Sequence, residues 1–256
     1  MSLIVRKTEP IPCTATNIML DWLTGDIHIE PGDSDHIVLT QLADRKFPEK
    51  KLFQFQQAGK EMLSIVDGRK SFVNIGFNLR KTILKIQLPG RQFHSISIRH
   101  VGGQVTAQQL HTKKLHYSTT SGQARLSGYM EELILHATGS HVTGHELEIG
   151  KLELRAISSK IKLAGQFSSL NLIATGSNVT IPSSTAPAQI NSISTGASVT
   201  VALPENDGFT LQFQKRSGRL HSDFPLIQKE DTCTYINGVR TYHAEVRGGS
   251  FTLRKS

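Results

Sequence analysis

The sequence predicts an all-β chain wound as a parallel β-solenoid (β-helix-like) of about eight to nine short coils, with a less regular N-terminal β part. Three observations predict it. Short alternations of apolar and polar residues recur, as in Ile27-His28-Ile29, Leu133 to Leu135, Ile161-Lys162-Leu163 and Val199-Thr200-Val201, while the 3.6-residue spacing of an amphipathic helix is nearly absent. A corner built on Gly or Ser returns about every 18 to 21 residues. Positions at fixed offsets from that corner are apolar in almost every copy.

The elements follow in order. Residues 1–17 read as an N-terminal extension, and residues 18–256 as a single solenoid domain. Its first part, 18–92, is irregular. Within it "IMLDWLTGDIHIEPGDSDHIVL" sets Ile18, Leu20, Gly25, Ile27 and Ile29 on the repeat positions and reads as one more coil. Residues 45–82 hold Phe53, Phe55 and Met62 to Val66 in strands joined by loops with a Gly/Asn-rich connector. "KTILKIQLPG", 81–90, is the strand entering the regular stack.

The regular coils occupy 93–222, with corners at Gly103, Gly122, Ser140, Ser159, Ser177, Ala197 and Gly218. Residues 223–240 are an inserted loop in which "INGVR" signals a turn. Residues 241–256, with a corner at Gly249, are the final coil. Seven positions before each corner stand Ile96, Leu115, Leu133, Leu152, Leu170, Ile190, Leu211 and Tyr242; two positions after it stand Val105, Ala124, Val142, Ile161, Val179, Val199, Leu220 and Phe251. The column five before is mostly apolar too, broken by Ser192 and the small Ala244. Side chains alternate across a strand, so these columns point inward and the polar residues between them outward.

Stacking is required on energetic grounds. Ordering a coil of about 19 residues costs roughly 1–2 kcal/mol per residue. Burying four aliphatic side chains returns only about 1.5–3 kcal/mol each. Each coil must therefore share core and ladder with its neighbours.

The same repeat disposes of a tempting site. "LIATGSNVTI", 172–181, could pass for a phosphate loop or a nucleophilic serine on a tight turn. It lacks the full glycine pattern ahead of a helix and the G-x-S-x-G elbow. Glycine also replaces serine at equivalent corners, so Ser177 reads as a turn residue.

The net charge of +8 permits anionic partners but names none. There is no block of bases and no interleaving of bases with aromatics, so no specific nucleic acid is predicted. Cys13 and Cys233 read as two unpaired thiols, without zinc spacing. No apolar run reaches signal-peptide or membrane-spanning length. As written, the expectation is a cytoplasmic chain, with the cell envelope as the alternative for a processed form or one tethered by a partner.

Catalysis has little to build on. No aspartate lies between Phe93 and Asn206, and the only paired glutamates of matching parity are Glu146 and Glu148. These are the weak basis for the competing idea of a carbohydrate-active β-helix enzyme, which needs two carboxylates roughly 5–9.5 Å apart. His141 and His145 share a face but lie about 13 Å apart along a strand, too far for one zinc ion. His136 and His141 flank the same corner, where the two could meet. An exposed titrating role is favoured for all three. No catalytic, cofactor or metal residues are assigned, and the chain reads as a non-catalytic interaction scaffold.

Two surfaces are candidates for binding. On the outer face of the second strand, Arg125, Lys160, Lys162 and Arg219 would form a sparse basic stripe for an anionic polymer or membrane surface. Residues 163–204 carry no charged side chain and invite self-association, because charge is what usually blunts sheet edges and faces.

Taken together, "DWLTGDIHIEPGDSDHIVL", "ILKIQLPG", the iterated "TTSGQARL" type of corner, and "GFTLQFQKRSGRLHSDFPL" followed by "NGVRTYHAEVRGGSFTLRK" resemble the bacterial putative-adhesin family of β-strand-repeat domains, a domain of unknown function. The resemblance runs from about residue 18 to the end. It implies a parallel β-solenoid, usually exported or membrane-tethered, with no agreed activity and no catalytic residues to carry over. Ser140, Ser159, Ser177 and Ala197 depart from the glycine of the family corner.

Overall fold

The computed structural model describes residues 3–12, 14–69 and 81–256. Cys13 and most of the Gly/Asn-rich connector lie outside the described residues. The chain divides into two compact units, Met1–Tyr129 and Met130–Ser256. Both are built from β-strands stacked mainly in parallel, coil upon coil.

The first unit contains β1 (Ile4–Pro12), β2 (Asn17–Trp22), β3 (Asp26–Pro31), β4 (His36–Ala43), β5 (Gln54–Ala58), β6 (Met62–Val66) and β7 (Thr82–Leu88). The long β8 (Phe93–Thr138) begins here and continues past the boundary. The coil expected around Gly25 is present: Ile18 and Leu20 pair with Ile96 and Ile98, and Ile27 and Ile29 with Val105 and Ala107. Its other side is also covered. Leu63 and Ile65 of β6 pair with Ile18 and Leu20, and Leu84 and Ile86 of β7 pair with Ile27 and Ile29.

Thus β6 and β7 form a further coil outside the first one. The strand 81–90 does not lead directly onto the regular coils, because β3 lies between β7 and β8. The physical reason is edge protection: the β2–β3 coil has both edges paired, and the new outer edge is closed by antiparallel strands. β4 covers β7, β1 covers β4, and β5 covers β6. Residues expected as an extension are therefore β1, and Pro10 and Pro12 stand on that outermost strand, where a missing N–H is tolerated.

The second unit contains β9 (His141–Ile157), β10 (Lys160–Thr175), β11 (Asn178–Pro182), β12 (Gln189–Leu203), β13 (Gly208–Ser222), β14 (Ile227–Lys229), β15 (Thr232–Ile236) and β16 (Arg240–Lys255). The rungs match the repeat positions. Ile161 pairs with Val142 and with Val179, Val179 with Val199, and Val199 with Phe251. Spatial order departs from chain order at the end. β16 lies between β12 and β13, pairing in parallel with both, so the coil of Gly218 is outermost and the last coil is the one before it.

The segment 223–240, expected as a loop, supplies β14 and β15, which close the outer edge of β13 in antiparallel fashion. Phe209, Phe224, Tyr235 and Tyr242 seal that end, with Phe209 stacked on Tyr242 at 4.8 Å between ring centroids. Both units thus end by the same device: an inward coil finished late or begun early in the chain, then an antiparallel cap.

Every residue of the column seven before the corner is buried, and so is every residue two after it except the half-buried Leu220. Ser192 and Ala244 are buried with their column as well. The left-handed backbone falls one position ahead of each corner residue, as at Ser158 (φ 48°) and Gly176 (φ 54°).

Candidate functional site

The corner is the first place to look for chemistry, because serines converge there. Ser140, Ser159 and Ser177 are all buried. Each hydroxyl donates to the carbonyl two residues back: Ser140 to Thr138 at 2.8 Å, Ser159 to Ile157 at 2.8 Å, Ser177 to Thr175 at 2.9 Å. Two of them also accept from the coil below, Ser159 Oγ from the Ser140 N–H at 3.1 Å and Ser177 Oγ from the Ser159 N–H at 3.0 Å. Ser159 further reaches the Ala137 carbonyl at 3.1 Å. The serines form an internal ladder in which every hydroxyl donates to a backbone carbonyl and those of Ser159 and Ser177 also accept from a backbone N–H, and none of them is placed as a nucleophile. The sequence signal was three consecutive corners carrying Ser instead of Gly.

The second candidate is the outer face of the second strand. Its two rows in the second unit run across paired strands as His141, Lys160, Asn178, Ser198, Ser250, Arg219 and as Thr143, Lys162, Thr180, Thr200, Thr252, His221. Lys160 and Lys162 are exposed on one coil, on either side of the buried Ile161. Arg219 is exposed four rungs away, about 19 Å at about 4.8 Å per rung. That exceeds the Debye length of about 8 Å at physiological salt, so the two positive spots act separately. The intervening Ser250 and Thr252 come from β16, whose place in the stack chain order did not reveal. Arg125 is exposed on the first unit.

A third feature lies on the outer face of the first strand of the coils, again in the second unit. Lys151, Ser169, Asn171, Gln189, Asn191, Thr241 and His243 line a shallow depression of 360 Å³. Asn191 Nδ2 donates to Asn171 Oδ1 at 3.2 Å along it. Lys151 bridges Glu153 at 2.5 Å and Glu132 at 3.5 Å. In the first unit, Lys7, Gln54, Phe55, Gln56, Ser64 and Val66 line an open depression of 540 Å³. There Lys7 Nζ sits 4.4 Å from the Phe53 ring centroid.

Glu146 takes up the extra position of a β-bulge at φ 50°, exposed beside His145. His136, His141 and His145 are exposed. Among the described residues, no group of three or more His, Cys, Asp or Glu could hold a metal ion. Glu205 is held below the usual carboxylate range by Lys255 and Tyr235, and Asp207 by Arg240.

Some buried polar groups went unanticipated. His100 is buried in the first unit with Nε2 3.1 Å from the Gly25 carbonyl. Burial holds its pKa down, against smaller raising effects from Gly25 and Asp26. Tyr117 is fully buried in the first unit as well, and burial pushes its hydroxyl up to about 12. Cys233 is a buried free thiol, also raised by burial.

Residues 15–246 match the family model described as Toastrack DUF4097. No curated protein matches. Among solved structures, a putative adhesin from Parabacteroides distasonis is similar with TM-score 0.56 and 12% identity, over 100% of this chain and 97% of that one. A putative adhesin from Parabacteroides merdae gives 0.51 and 14%, over 99% and 96%. Another from Bacteroides fragilis gives 0.50 and 12%, over 100% and 97%. At these identities the likeness is one of fold.

Proposed function

The chain belongs to the Toastrack family, and on that premise we propose that it is a non-catalytic binding scaffold of the bacterial cell envelope whose flat ladder face holds an anionic polymer. The observation that carries this reading is the composition of the two outward rows of the second strand. They repeat Ser, Thr and Asn rung after rung, with Lys160 and Lys162 on one coil and Arg219 on another, and they carry no acid. Such a face offers hydroxyl and amide donors at about 4.8 Å intervals with cations spaced among them, a pattern suited to a repeating anionic ligand. The adhesin names of the structurally similar proteins support a binding role outside the cytoplasm.

The test is retention on immobilised heparin and, separately, on vesicles containing anionic lipid. Retention on heparin that weakens with salt and is lost in the Lys160→Gln/Lys162→Gln/Arg219→Gln variant supports the reading. Adding Arg125→Gln tests the first unit. Retention on vesicles alone would move the ligand to lipid head groups, and absent or salt-independent retention on both would overturn the proposal.

A further inference from the structure

We propose that a second copy of this chain docks on the first-strand face of the second unit, through a two-fold axis running along the strands between β10 and β12. The argument rests on four adjacent strands in strict register. One row across β9, β10, β12 and β16 reads Glu153, Asn171, Asn191, His243; the next reads Arg155, Ile173, Ile193, Glu245; the third reads Ile157, Thr175, Thr195, Arg247. The middle two residues of every row are uncharged, and opposite charges stand at the two ends of one row.

A dyad in the plane of the interface and parallel to the strands keeps each row but reverses strand order. It therefore sets Arg155 of one copy against Glu245 of the other, and Glu153 against His243, each twice. Ile173 meets Ile193 and Asn171 meets Asn191. Ile157, an exposed isoleucine, meets the aliphatic stem of Arg247. The alternative dyad, perpendicular to the strands, keeps strand order, so centred on the isoleucine row it would set Arg155 against Arg155 and Glu245 against Glu245, which is unfavourable. Row-preserving packing is also the aligned arrangement that stacked sheets adopt, about 10 Å apart.

Arg155 is exposed and makes no ion pair among the described residues; the two internal pairs of the patch leave Lys151 and Arg247 about half open to solvent and Glu153 about a third, while Glu245, 17% exposed against Arg247, keeps only one edge open. Within one molecule Arg155 and Glu245 are three rungs, about 14 Å, apart and cannot compensate each other. The patch spans about 19 Å by 20 Å, roughly 400 Å² per copy, half of the roughly 800 Å² that a stable partner buries. The expected association is accordingly weak, with Kd of about 0.1–1 mM, suited to a scaffold that clusters when concentrated at a surface.

The test is sedimentation equilibrium of the full chain from about 20 µM to 2 mM, with mutations of surface residues that leave the core untouched. Wild type should associate reversibly, and less so at high salt. Arg155→Glu and Glu245→Arg should each weaken association at least tenfold. An equimolar mixture of those two variants should restore it, because each supplies the charge the other lacks; the Arg155→Glu/Glu245→Arg double variant should restore it alone. Thr175→Arg, which places bulk beside the axis, should abolish association without touching either ion pair. A wild type that stays monomeric throughout, or an association indifferent to charge reversal and not rescued by mixing, overturns the proposal. Loss of heparin retention would leave it standing, since the two faces lie on different strands of the coil.

Discussion

Replacing Ser159 with alanine separates two accounts of the corner. If the position merely needs a small residue, alanine serves as well as serine, since the left-handed backbone belongs to Ser158. If the hydroxyl ladder holds the coils together, alanine is costly. Ser159→Ala deletes the acceptor for the buried Ser140 N–H and a donor shared between the Ile157 and Ala137 carbonyls. An orphaned buried N–H costs about 1–3 kcal/mol, and the lost donation adds about 0.5–1.5 kcal/mol. The Ser159 N–H keeps its own acceptor on Ser177, so no second donor is stranded. The net expectation is a loss of about 2–3 kcal/mol, which for a chain of this size lowers Tm by roughly 4–12 °C. Urea unfolding followed by circular dichroism reads it as a shift in midpoint at constant slope. Ser184→Ala is the control: Ser184 is exposed and its hydroxyl reaches Gly165 O at 3.2 Å, so it should change stability by no more than about 0.5 kcal/mol. Equal behaviour of the two variants would refute the ladder and restore the small-residue account.

Two further expectations concern single residues of the frame. His100 is held neutral by burial, so below about pH 6.5 the unfolded chain takes up its proton more readily than the folded one. Stability on this account is full above that pH and falls as pH drops toward the depressed folded value. His100→Gln should flatten that acid limb in unfolding titrations, and an unchanged slope would assign the limb to other groups. Gly249 and Gly196 test backbone strain against crowding. Alanine at Gly196 (φ 56°) meets nothing within 4 Å and should cost about 1–2 kcal/mol for the left-handed conformation alone. Alanine at Gly249 (φ 93°) would put Cβ 2.0 Å from the Ala197 carbonyl oxygen and should cost about 3 kcal/mol or more; equal denaturation midpoints would show that the backbone yields.

The parts of this molecule that were legible from sequence are those governed by alternation and a fixed spacing. Burial of one face forces period two, and stacking forces equal coil length, so Ile161, Val179 and Val199 announce their rung without any knowledge of their neighbours. A column alignment fixes register, however, and says nothing of order. The same columns would fit Gly218 beside Ala197 or beside Gly249, and only the pairing of β16 with β12 and β13 decides it. That one exchange is why Lys160 and Arg219 looked like members of a tighter stripe than they form. β6 and β7 escaped recognition as a coil for a related reason: the stretch between Val66 and Thr82 is longer than an ordinary corner, so the spacing that identifies a coil was broken although Leu63, Ile65, Leu84 and Ile86 keep its apolar pattern. β1 pairs antiparallel at the edge and owes nothing to the repeat. The serine ladder was hidden for a chemical reason, because a hydroxyl that bonds backbone and a residue that is only small look alike in one sequence. The opposite charges at the two ends of one row were hidden by the fold itself: Arg155 and Glu245 are 90 positions apart in the chain, and the row that makes them ends of one face exists only after the last coil has been tucked inside the stack.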